Sequence, residues 1–483
     1  MSSSQRQLWF LHQLEPRSAA YALPLALRLR GPLEQAALEV ALARLVERHE
    51  VLRTVFPGEG SGPVAVVEPA GPVPLSTLDL TGLAGPEQEP ALRELARSES
   101  ATPFDLERGP LLRARLVRLA PDSQVLLLVL HHILCDGWSV GVLLRELAAL
   151  LEGASLPPLA VTARDHAAWQ RNWMAGEVLA RELEHWRLAL DGAPRVLSLP
   201  TARPRPSTPT QRGAQLPFSI PSETSVVLGA LAREAGATPF MVYLAAFAVL
   251  LHRHTGGEDL LVGTPTAGRP LPELEGLVGH FVNTLPLRLV PRAGLRFREL
   301  LRHVRDTVLT ALVHGNVPFD ELVRTLCPVR EPGTPPLVQG VFALQSPQAE
   351  VATSSGLRLR VEELDNGAAP FDLFFQVWEH EGRMEGSAVY STELFEEATA
   401  ARLVDEYVRL LGAIAAEPEA RVSTLARAGE DVERPGASLR EAEARLLERP
   451  EVLDCAVRVR TGRDGRPERV AITERGPSRE AET

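Results

Sequence analysis

The sequence of 483 residues contains no lysine, and all 51 of its basic residues are arginine. The absence of lysine excludes a phosphate-binding loop of the GxxxxGKS/T type, a Schiff-base nucleophile and an adenylate-forming active site that depends on an ammonium group. The net charge is −11, and no basic patch is interleaved with aromatic residues, which make up 5% of the chain. Nucleic-acid binding is therefore not expected, because the phosphate backbone is recognised by clustered positive charge.

Cysteine and long apolar runs are also scarce. The three cysteines, Cys135, Cys327 and Cys455, are isolated and form no CxxC pair. This spacing argues against a disulfide framework or a zinc site and favours a reducing compartment. No segment reaches the ~18 uninterrupted apolar residues of a membrane span, and the N-terminus lacks the basic-then-apolar layout of a signal peptide. We therefore predict a cytoplasmic protein without a membrane span or a bound metal.

Apolar residues recur with both helical and strand periods, which predicts an α/β protein. In the predicted strand of residues 124–132, residues 125–130 are apolar on both faces, so this strand is expected inside its sheet, next to the strand of residues 111–119. A helix is expected to begin near residues 136–139. The other predicted helices cover residues 33–50, 178–190, 222–235, 238–254, 296–314, 318–326 and 396–416, and the other predicted strands cover residues 51–56, 259–263, 337–345, 357–364, 370–379 and 384–391.

Composition changes twice along the chain. Residues 191–213 are rich in proline among Arg, Ser and Thr, which predicts a loop or linker between two α/β halves. From residue 428 the chain becomes polar and rich in Gly and Pro. A helix over Leu439–Glu448, a hairpin around Thr461–Gly465 and a charged, disordered end are predicted there.

The segment HHILCDGWS, from His131 to Ser139, is the strongest candidate for chemistry. It lies where the buried strand runs into the next helix. Neighbouring side chains on a strand point to opposite faces, so His131 and His132 are poorly placed to bind one metal ion together. One histidine is expected to face the packed interior and the other the space beyond the strand end. The ordinary pKa of histidine suits proton transfer near neutral pH.

The residues after the two histidines allow alternatives. The Asp136 carboxylate can orient His132 as in a catalytic triad, or it can begin the helix and pair with an arginine. Gly137 permits a backbone conformation or a close approach that a β-carbon would obstruct. Ser139 can donate a hydrogen bond near the reacting group or cap its helix. A core histidine pair with a helix cap is the structural alternative, but HHxxxDG at a strand-to-helix turn favours a functional site.

HHILCDGWS resembles the HHxxxDG signature of the condensation domains of nonribosomal peptide synthetases. Other segments resemble further motifs of that family in the same order, over about residues 1–427. Gln7, Ala163 and His166 depart from the arginine and the two tyrosines that are usual, whereas the signature is intact. The similar segments are SSSQRQLWFL (2–11), RHEVLRTVF (48–56), ARDHAAW (163–169), VGHFVNTLPLR (278–288), HGNVPFDELV (314–323) and PPLVQGVFALQ (335–345).

The resemblance implies two lobes, each similar to chloramphenicol acetyltransferase, packed as a V-shaped pseudo-dimer. Residues 1–176 would form the N-terminal lobe and residues 177–427 the C-terminal lobe. Residues 428–483 weakly resemble part of the small subdomain of an adenylate-forming enzyme, without its lysine. The implied partners are donor and acceptor carrier proteins of adjacent synthetase modules, with both substrates held as thioesters on phosphopantetheine arms. No cofactor bound covalently to this chain is expected.

The resemblance makes His132 the catalytic histidine of peptide-bond formation. It would act as a general base, or it would position the amine and stabilise the tetrahedral state. Asp136 is implied to turn away from the histidine into an ion pair, with Arg269 favoured over Arg53. The other implied site residues are the structural His131 and Gly137 and the channel candidates Trp138, Ser139, Asn283 and Thr284, with a structural role as the alternative for the last three.

The type of condensation domain has alternatives. The stretch DGWSVGVLLREL is similar to domains that accept an L-configured donor and differs from epimerisation domains. Cyclisation domains carry DxxxxD in place of the histidines, and plant-type acyltransferases add DFGWG; the sequence has neither. Two alternatives stay open. One is a starter domain that transfers a fatty acyl group, suggested by the first motif at Met1, and the other is a catalytically silent module that recruits a partner enzyme.

Overall fold

The computed structural model describes residues 1–59, 62–327, 331, 333–345 and 350–427, and the strands of residues 452–461 and 467–475. Contacts divide the chain into two units, Met1–Ala426 and Arg427–Thr483. The first unit contains two six-stranded sheets with their helices, and the second contains a two-stranded sheet.

The helices of the first unit bury the apolar faces that their sequences predict. On the second helix, for example, Leu38, Ala41, Leu42 and Leu45 are all buried. The helices are α1 (Ser3–Leu14), α2 (Gln35–Arg48), α3 (Gly85–Ala101), α4 (Gly137–Leu151), α5 (Ala163–Trp173), α6 (Gly176–Ala189), α7 (Ser222–Glu234), α8 (Pro239–Thr255), α9 (Phe297–Val313), α10 (Phe319–Leu326), α11 (Glu397–Ala416) and α12 (Val422–Leu425), with 3-10 turns at Glu50–Arg53 and Pro272–Leu274.

Four of the two-residue strands form two separate ladders, β2 with β5 and β3 with β4. The strands are β1 (Ala22–Arg30), β2 (Thr54–Val55), β3 (Gly58–Glu59), β4 (Gly62–Pro63), β5 (Val66–Val67), β6 (Leu75–Asp79), β7 (Leu112–Ala120), β8 (Ser123–His131), β9 (Gly213–Ile220), β10 (Leu260–Thr266), β11 (Asn283–Leu289), β12 (Gly340–Leu344), β13 (Val351–Ala352), β14 (Arg358–Glu363), β15 (Leu373–His380), β16 (Arg383–Ser391), β17 (Val452–Thr461) and β18 (Pro467–Arg475).

The first sheet has the order β13-β14-β1-β8-β7-β6 and contains the strand that leads to the histidine motif. β8 pairs antiparallel with β1 and with β7. Every residue of β8 from Val125 to His131 is buried. The predicted interior position of this strand is therefore confirmed, and its carboxyl end is held rigidly from both sides.

The second sheet has the order β11-β10-β12-β15-β16-β9. β12 runs parallel to both of its neighbours, and the other pairs are antiparallel. The core helix α8 packs here, with all residues from Met241 to Leu251 buried. Phe342, Phe375 and Tyr407 belong to the same core cluster.

No single helix in the described part of the chain is long and apolar enough to cross a membrane. Taken together, α7 and α8 would be long and apolar enough by length and composition alone, but the two helices meet at a bend of 107°.

One segment of the C-terminal half belongs to the first sheet. β14 pairs antiparallel with β1, with Val361 opposite Leu27, and β13 extends the sheet beyond it. The sequence prediction placed the strand of residues 357–364 in a lobe of residues 177–427. The structure corrects this placement, because strand pairing depends on tertiary contacts that local periodicity does not report.

The three longest strands that were missed each contain proline. β1, β9 and β11 were not predicted as strands, and they carry Pro24, Pro217 and Pro286. Proline disfavours strands because it lacks the N–H donor, and it is tolerated mainly at sheet edges. β9 and β11 are the two edges of the second sheet. The predicted strand of residues 51–56 was also largely wrong, because a 3-10 turn occupies Glu50–Arg53.

The turn between β8 and α4 has a counterpart between β16 and α11. In both cases an antiparallel hairpin ends in a turn that leads directly into a helix. The helix caps are Asp136 in the first turn and Glu396 in the second. The residue that follows the strand is His132 in the first turn and Thr392 in the second. The two turns are therefore similar in backbone, but only the turn after β8 carries a histidine at this position.

The C-terminal unit contains the hairpin of β17 and β18, paired from Val452 opposite Arg475 to Thr461 opposite Pro467. The predicted hairpin is confirmed. The predicted helix Leu439–Glu448 and the charged end beyond Arg475 lie outside the described residues.

Candidate active site

The two histidines and the helix cap are positioned by the junction of β8 and α4. The strand ends at His131, and the helix begins at Gly137 with Asp136 as its N-cap. Asp136 has an extended backbone, with φ −120° and ψ 177°, and its carboxylate accepts the N–H of Ser139 at 2.9 Å. The first N–H groups of a helix have no partner within the helix, and this hydrogen bond supplies one for Ser139. It also fixes the turn that carries His132.

His131 faces the core. The residue is 3% exposed, and its ring packs edge to face with His12 and Phe104, with centroids 5.6 Å and 5.8 Å away. Its Nδ1 accepts the N–H of Ile133 at 3.1 Å. Burial, followed by the neighbouring histidines, holds the pKa of His131 well below its ordinary value. His131 is therefore a neutral packing residue.

His132 is half-buried and has a defined ring orientation. Its Nδ1 lies 2.6 Å from the carbonyl oxygen of Cys135. A carbonyl oxygen only accepts hydrogen bonds, so Nδ1 carries the hydrogen of the neutral ring and Nε2 keeps a lone pair. The backbone turn thus selects the tautomer that accepts a proton at Nε2.

Asp136 forms a bidentate ion pair with Arg269. Nη1 of Arg269 lies 2.9 Å from Oδ2, and Nη2 lies 3.0 Å from Oδ1. The two side chains are 0% and 2% exposed. Arg53 donates instead to the carbonyl oxygens of Val46 and Glu68. Of the two arginines considered as partners, only Arg269 contacts the aspartate.

The remaining contacts of Asp136 occupy both carboxylate oxygens. Oδ1 accepts the Ser139 hydroxyl at 2.7 Å, and Oδ2 accepts the N–H of Phe281 at 2.9 Å. Burial raises the pKa of Asp136, but the charge and hydrogen bonds of Arg269, with these further donors, outweigh burial and hold the pKa below its ordinary value. No hydrogen bond joins Asp136 to His132 in the structure, so Asp136 caps the helix and pairs with arginine and is not the orienting member of a triad.

Arg269 also ties the connection between β10 and β11 to the start of α4. It donates to the Ser139 hydroxyl at 2.9 Å and to the carbonyl oxygen of Leu277 at 3.3 Å. Its guanidinium lies 4.3 Å from the ring centroid of Phe281. The indole N–H of Trp138 donates to the carbonyl oxygen of Glu275 at 2.8 Å. The segment 267–281 is thereby fixed beside the histidine turn.

The channel candidates differ in their surroundings. Ser139 is fully buried, and its hydroxyl accepts the N–H of Gly279 at 3.0 Å, so it is a structural residue. Trp138 is 41% exposed, and Thr284 is half-buried on β11. Gly137 is exposed, its φ is not left-handed, and a β-carbon there would meet no atom within 4 Å. The protein itself therefore does not require glycine at this position, contrary to the prediction for its backbone.

The Asn283 amide is fully used within the protein. Its nitrogen donates to the carbonyl oxygens of Gly315 and Val317 at 2.9 Å and 2.7 Å, and its oxygen accepts the N–H of Phe319 at 2.9 Å. These contacts hold the loop that leads into α10. Asn283 is therefore structural, and the alternative role as a channel residue is not supported by its contacts.

His280 is a site residue that the sequence analysis missed. Its ring packs perpendicular to that of His132, with centroids 4.9 Å apart. Burial, followed by the proximity of His132 and Arg269, lowers the pKa of His280 to about 3. The sequence held only a weak signal, a histidine inside VGHFVNT with no pattern linking it to His132. Their contact depends on the packing of two segments far apart in the chain.

No group of three or more His, Cys, Asp or Glu side chains within the described residues is arranged to hold a metal ion.

This arrangement matches a known family. A family model described as Condensation domain covers residues 1–433. The chain belongs to the condensation-domain family. Nonribosomal peptide synthetases contain its relatives, and condensation domains of these synthetases carry no cofactor of their own.

Curated relatives of this condensation domain are much longer proteins. Malpinin synthetase of Mortierella alpina is 40% identical over 430 residues, which are 88% of this chain and 6% of that protein. Phosphinothricin tripeptide synthetase PhsC of Streptomyces viridochromogenes is 39% identical over 425 residues, which are 86% of this chain and 39% of that protein. The chain thus spans less than half the length of each of these relatives.

Solved structures of similar fold include an X-domain from teicoplanin biosynthesis, with a TM-score of 0.78, 30% identity, and coverage of 88% of this chain and 96% of that one. The first condensation domain of the calcium-dependent antibiotic synthetase, in complex with a substrate analogue, gives a TM-score of 0.76 at 26% identity, covering 88% and 97%. The fold is accordingly the mixed α/β fold of two lobes similar to chloramphenicol acetyltransferase, as predicted.

Proposed function

We propose that this condensation domain forms an amide bond between a donor acyl or peptidyl thioester and the amine of an acceptor aminoacyl thioester, with His132 as the catalytic residue. The observation that carries the proposal is the contact of His132 Nδ1 with the Cys135 carbonyl oxygen at 2.6 Å. It leaves Nε2 as a proton acceptor at the end of a rigid strand. Family membership supports the reaction class, because condensation domains of nonribosomal synthetases are acyltransferases.

The proposed step balances with a single base. The acceptor amine attacks the thioester carbonyl carbon, and the new C–N bond forms as the carbonyl electrons move to oxygen. His132 Nε2 accepts one proton from the amine nitrogen. When the tetrahedral intermediate collapses, the C–S bond breaks and the departing sulfur takes the proton from the imidazolium. General-base assistance of this kind contributes roughly 10²–10⁴-fold in rate, and a thioester is already activated for attack.

Asp136 and Arg269 support this chemistry without taking part in proton transfer. A carboxylate whose pKa is lowered and whose two oxygens already accept hydrogen bonds is a poor base. The pair instead connects the start of α4 with the segment before β11. We propose that the Asp136–Arg269 pair fixes the turn that carries His132 in the position needed to meet the acceptor and donor substrates.

The partners we propose are donor and acceptor carrier proteins with phosphopantetheine arms, in adjacent synthetase modules. An L-configured donor is supported by the sequence after the signature, and a cytoplasmic location by the three isolated cysteines. We retain the lobe boundary near residue 176 and the tail from residue 428 as proposals, with β13 and β14 assigned to the first sheet.

Reconstitution with synthetic pantetheine thioesters tests this function. Aminoacyl and fatty acyl donors would each be offered with an alanyl acceptor, and amide products would be followed by mass spectrometry. We expect amide from the aminoacyl donor, and a loss of roughly 10²–10⁴-fold in kcat for His132→Ala with an unchanged melting temperature. His303→Ala, at an exposed position on α9, is the matched control and should retain activity.

Each other outcome selects an alternative. Product from the fatty acyl donor alone would identify a starter domain. Absence of amide from every pair, with a normally folded protein, would refute the proposed activity and favour a recruitment module. A solved complex pairs the teicoplanin X-domain with OxyB, and that X-domain is 30% identical to this chain with a TM-score of 0.77.

A further inference from the structure

A second imidazole lies directly against His132. His280 belongs to the segment between β10 and β11, and its ring is inclined at 83° to that of His132, with centroids 4.9 Å apart. The backbone carbonyl oxygen of His280 accepts the hydroxyl of Ser4 on α1 at 3.2 Å. His280 is thus held between the N-terminal helix and the catalytic histidine.

The ring nitrogens of His280 are not used by the protein. Its Nδ1 is buried, and among the described residues no group forms a hydrogen bond with either nitrogen. Burying a polar atom without a partner costs free energy, whereas phenylalanine would fill a similar space without that cost. The packing of the ring therefore does not explain why the residue is histidine.

The charge environment keeps this ring neutral. Burial is the main cause that lowers its pKa to about 3, His132 and Arg269 lower the pKa further, and only Asp136 opposes them. A neutral imidazole of such low basicity accepts a hydrogen bond but does not take the proton at the pH of catalysis. The proton therefore passes to His132.

We propose that His280 binds the acceptor amine, so that the amine is held by two imidazoles. This inference rests on the proposed function. One N–H of the amine donates to a ring nitrogen of His280, the other donates to Nε2 of His132, and the nitrogen lone pair points to the thioester carbon. The N–H held by His132 is lost as the C–N bond forms and the C–S bond breaks, and the N–H held by His280 remains as the amide N–H.

The geometry has a consequence for substrate class. A primary amine offers two N–H groups to the two histidines, whereas a secondary amine, such as that of proline or an N-methyl amino acid, offers one. The arrangement therefore favours acceptors with a primary amine. Without a hydrogen-bond acceptor at position 280, the advantage of the primary amine disappears.

The test compares His280→Phe with the unaltered protein, using one fixed aminoacyl donor and two acceptors, alanyl-pantetheine and N-methylalanyl-pantetheine. Losing one hydrogen bond to a reacting group should lower kcat/KM for the alanyl acceptor by roughly 10- to 100-fold and leave the N-methyl acceptor nearly unchanged. His280→Asn, which keeps an acceptor atom, should recover part of the preference. His380→Phe, at a half-buried histidine on β15, is the control and should keep the full preference.

Two results would overturn the inference. One is an unchanged kcat/KM in His280→Phe, and the other is an equal loss for both acceptors, which would indicate a purely structural role. If the unaltered protein forms no amide, the proposed function fails, and His280 is then tested by binding. Calorimetry with a non-hydrolysable alanyl-pantetheine amide on His132→Ala should show weaker binding when His280→Phe is added. Equal affinity would refute the role of His280.

Discussion

The Asp136 carboxylate and the Arg269 guanidinium are joined by two parallel hydrogen bonds, of 2.9 Å and 3.0 Å, although 133 positions separate them in the chain. Both side chains are almost completely removed from solvent. Asp136 is the aspartate of the signature, four residues after His132, and both of its carboxylate oxygens accept hydrogen bonds from Arg269. The aspartate therefore supports the turn that carries His132 without contacting its imidazole.

Replacing Asp136 by Asn should destabilise the protein by ~3–5 kcal/mol, because Arg269 would be left as an unpaired charge in a buried position. Chemical unfolding monitored by circular dichroism measures this loss. Arg187→Ala is the control, since Arg187 pairs with Glu184 at the surface, where both side chains are more than half exposed, and exposed ion pairs contribute little to stability. Equal stability of the two variants would show that the buried pair does not hold the site together.

Replacing Gly137 by Leu should reduce amide formation with little change in melting temperature. A β-carbon at this position meets no atom of the protein within 4 Å, so any clash would involve a substrate that approaches His132. Gly412→Leu is a matched control on α11, where a β-carbon also meets no atom within 4 Å. If both variants kept full activity in the thioester assay, the space in front of Gly137 would not be a substrate path.

Replacing Asn283 by Ala should cost ~1–3 kcal/mol, because three backbone groups of residues 315–319 lose their partner. Hydrogen exchange of the loop before α10 should accelerate in this variant, and differential scanning calorimetry should show the lower melting temperature. Asn172→Ala, at an exposed position on α5, should change neither. A stable Asn283→Ala protein with impaired turnover would instead support the channel role.

Stability should fall as the pH is lowered from about 6.5 towards 5. The folded-state pKa is depressed to about 3 for His280 and about 4 for His166, chiefly by burial, and well below the ordinary value for His131. The same histidines have a pKa of ~6.5 in the unfolded chain. Below that pH the unfolded chain therefore binds more protons than the folded protein. The stability is therefore complete above that pH and is lost as the pH falls towards the folded pKa, with a slope of up to ~1.4 kcal/mol per pH unit for each group.

Urea unfolding at several pH values measures this slope. His166→Phe removes one of the histidines whose pKa is depressed and should reduce the slope, while His303→Phe, at an exposed position, should not. Asp136 is an acid, so its lowered pKa favours the charged form in the folded protein. Its contribution to stability is present above the unfolded carboxyl pKa of ~3.9 and is lost only below that pH, outside the range of this test. A slope that is identical in all three proteins between pH 6.5 and 5 would contradict the histidine assignment.

Much of the fold was predictable because local periodicity reports which faces are buried. The strand β8, the helix α4 and most helices of the C-terminal half were found near their observed bounds. The strands β1, β9 and β11 were missed because each contains proline, and the pairing of β14 with β1 was missed because the two strands are far apart in the sequence.

From the sequence alone, the resemblance implied that His132 is the reacting imidazole, and the apolar strand and the helix on either side of the motif indicated its setting. HHILCDGWS between an apolar strand and a helix indicates the turn, and the ordered motifs indicate the family. Because the chain has no lysine, an ion-pair partner of Asp136 was expected to be an arginine. Tertiary structure decided that this arginine is Arg269, that His132 has its hydrogen on Nδ1, and that His280 stands beside it. These features depend on contacts between residues far apart in the chain or on backbone carbonyls, and neither leaves a trace in local spacing.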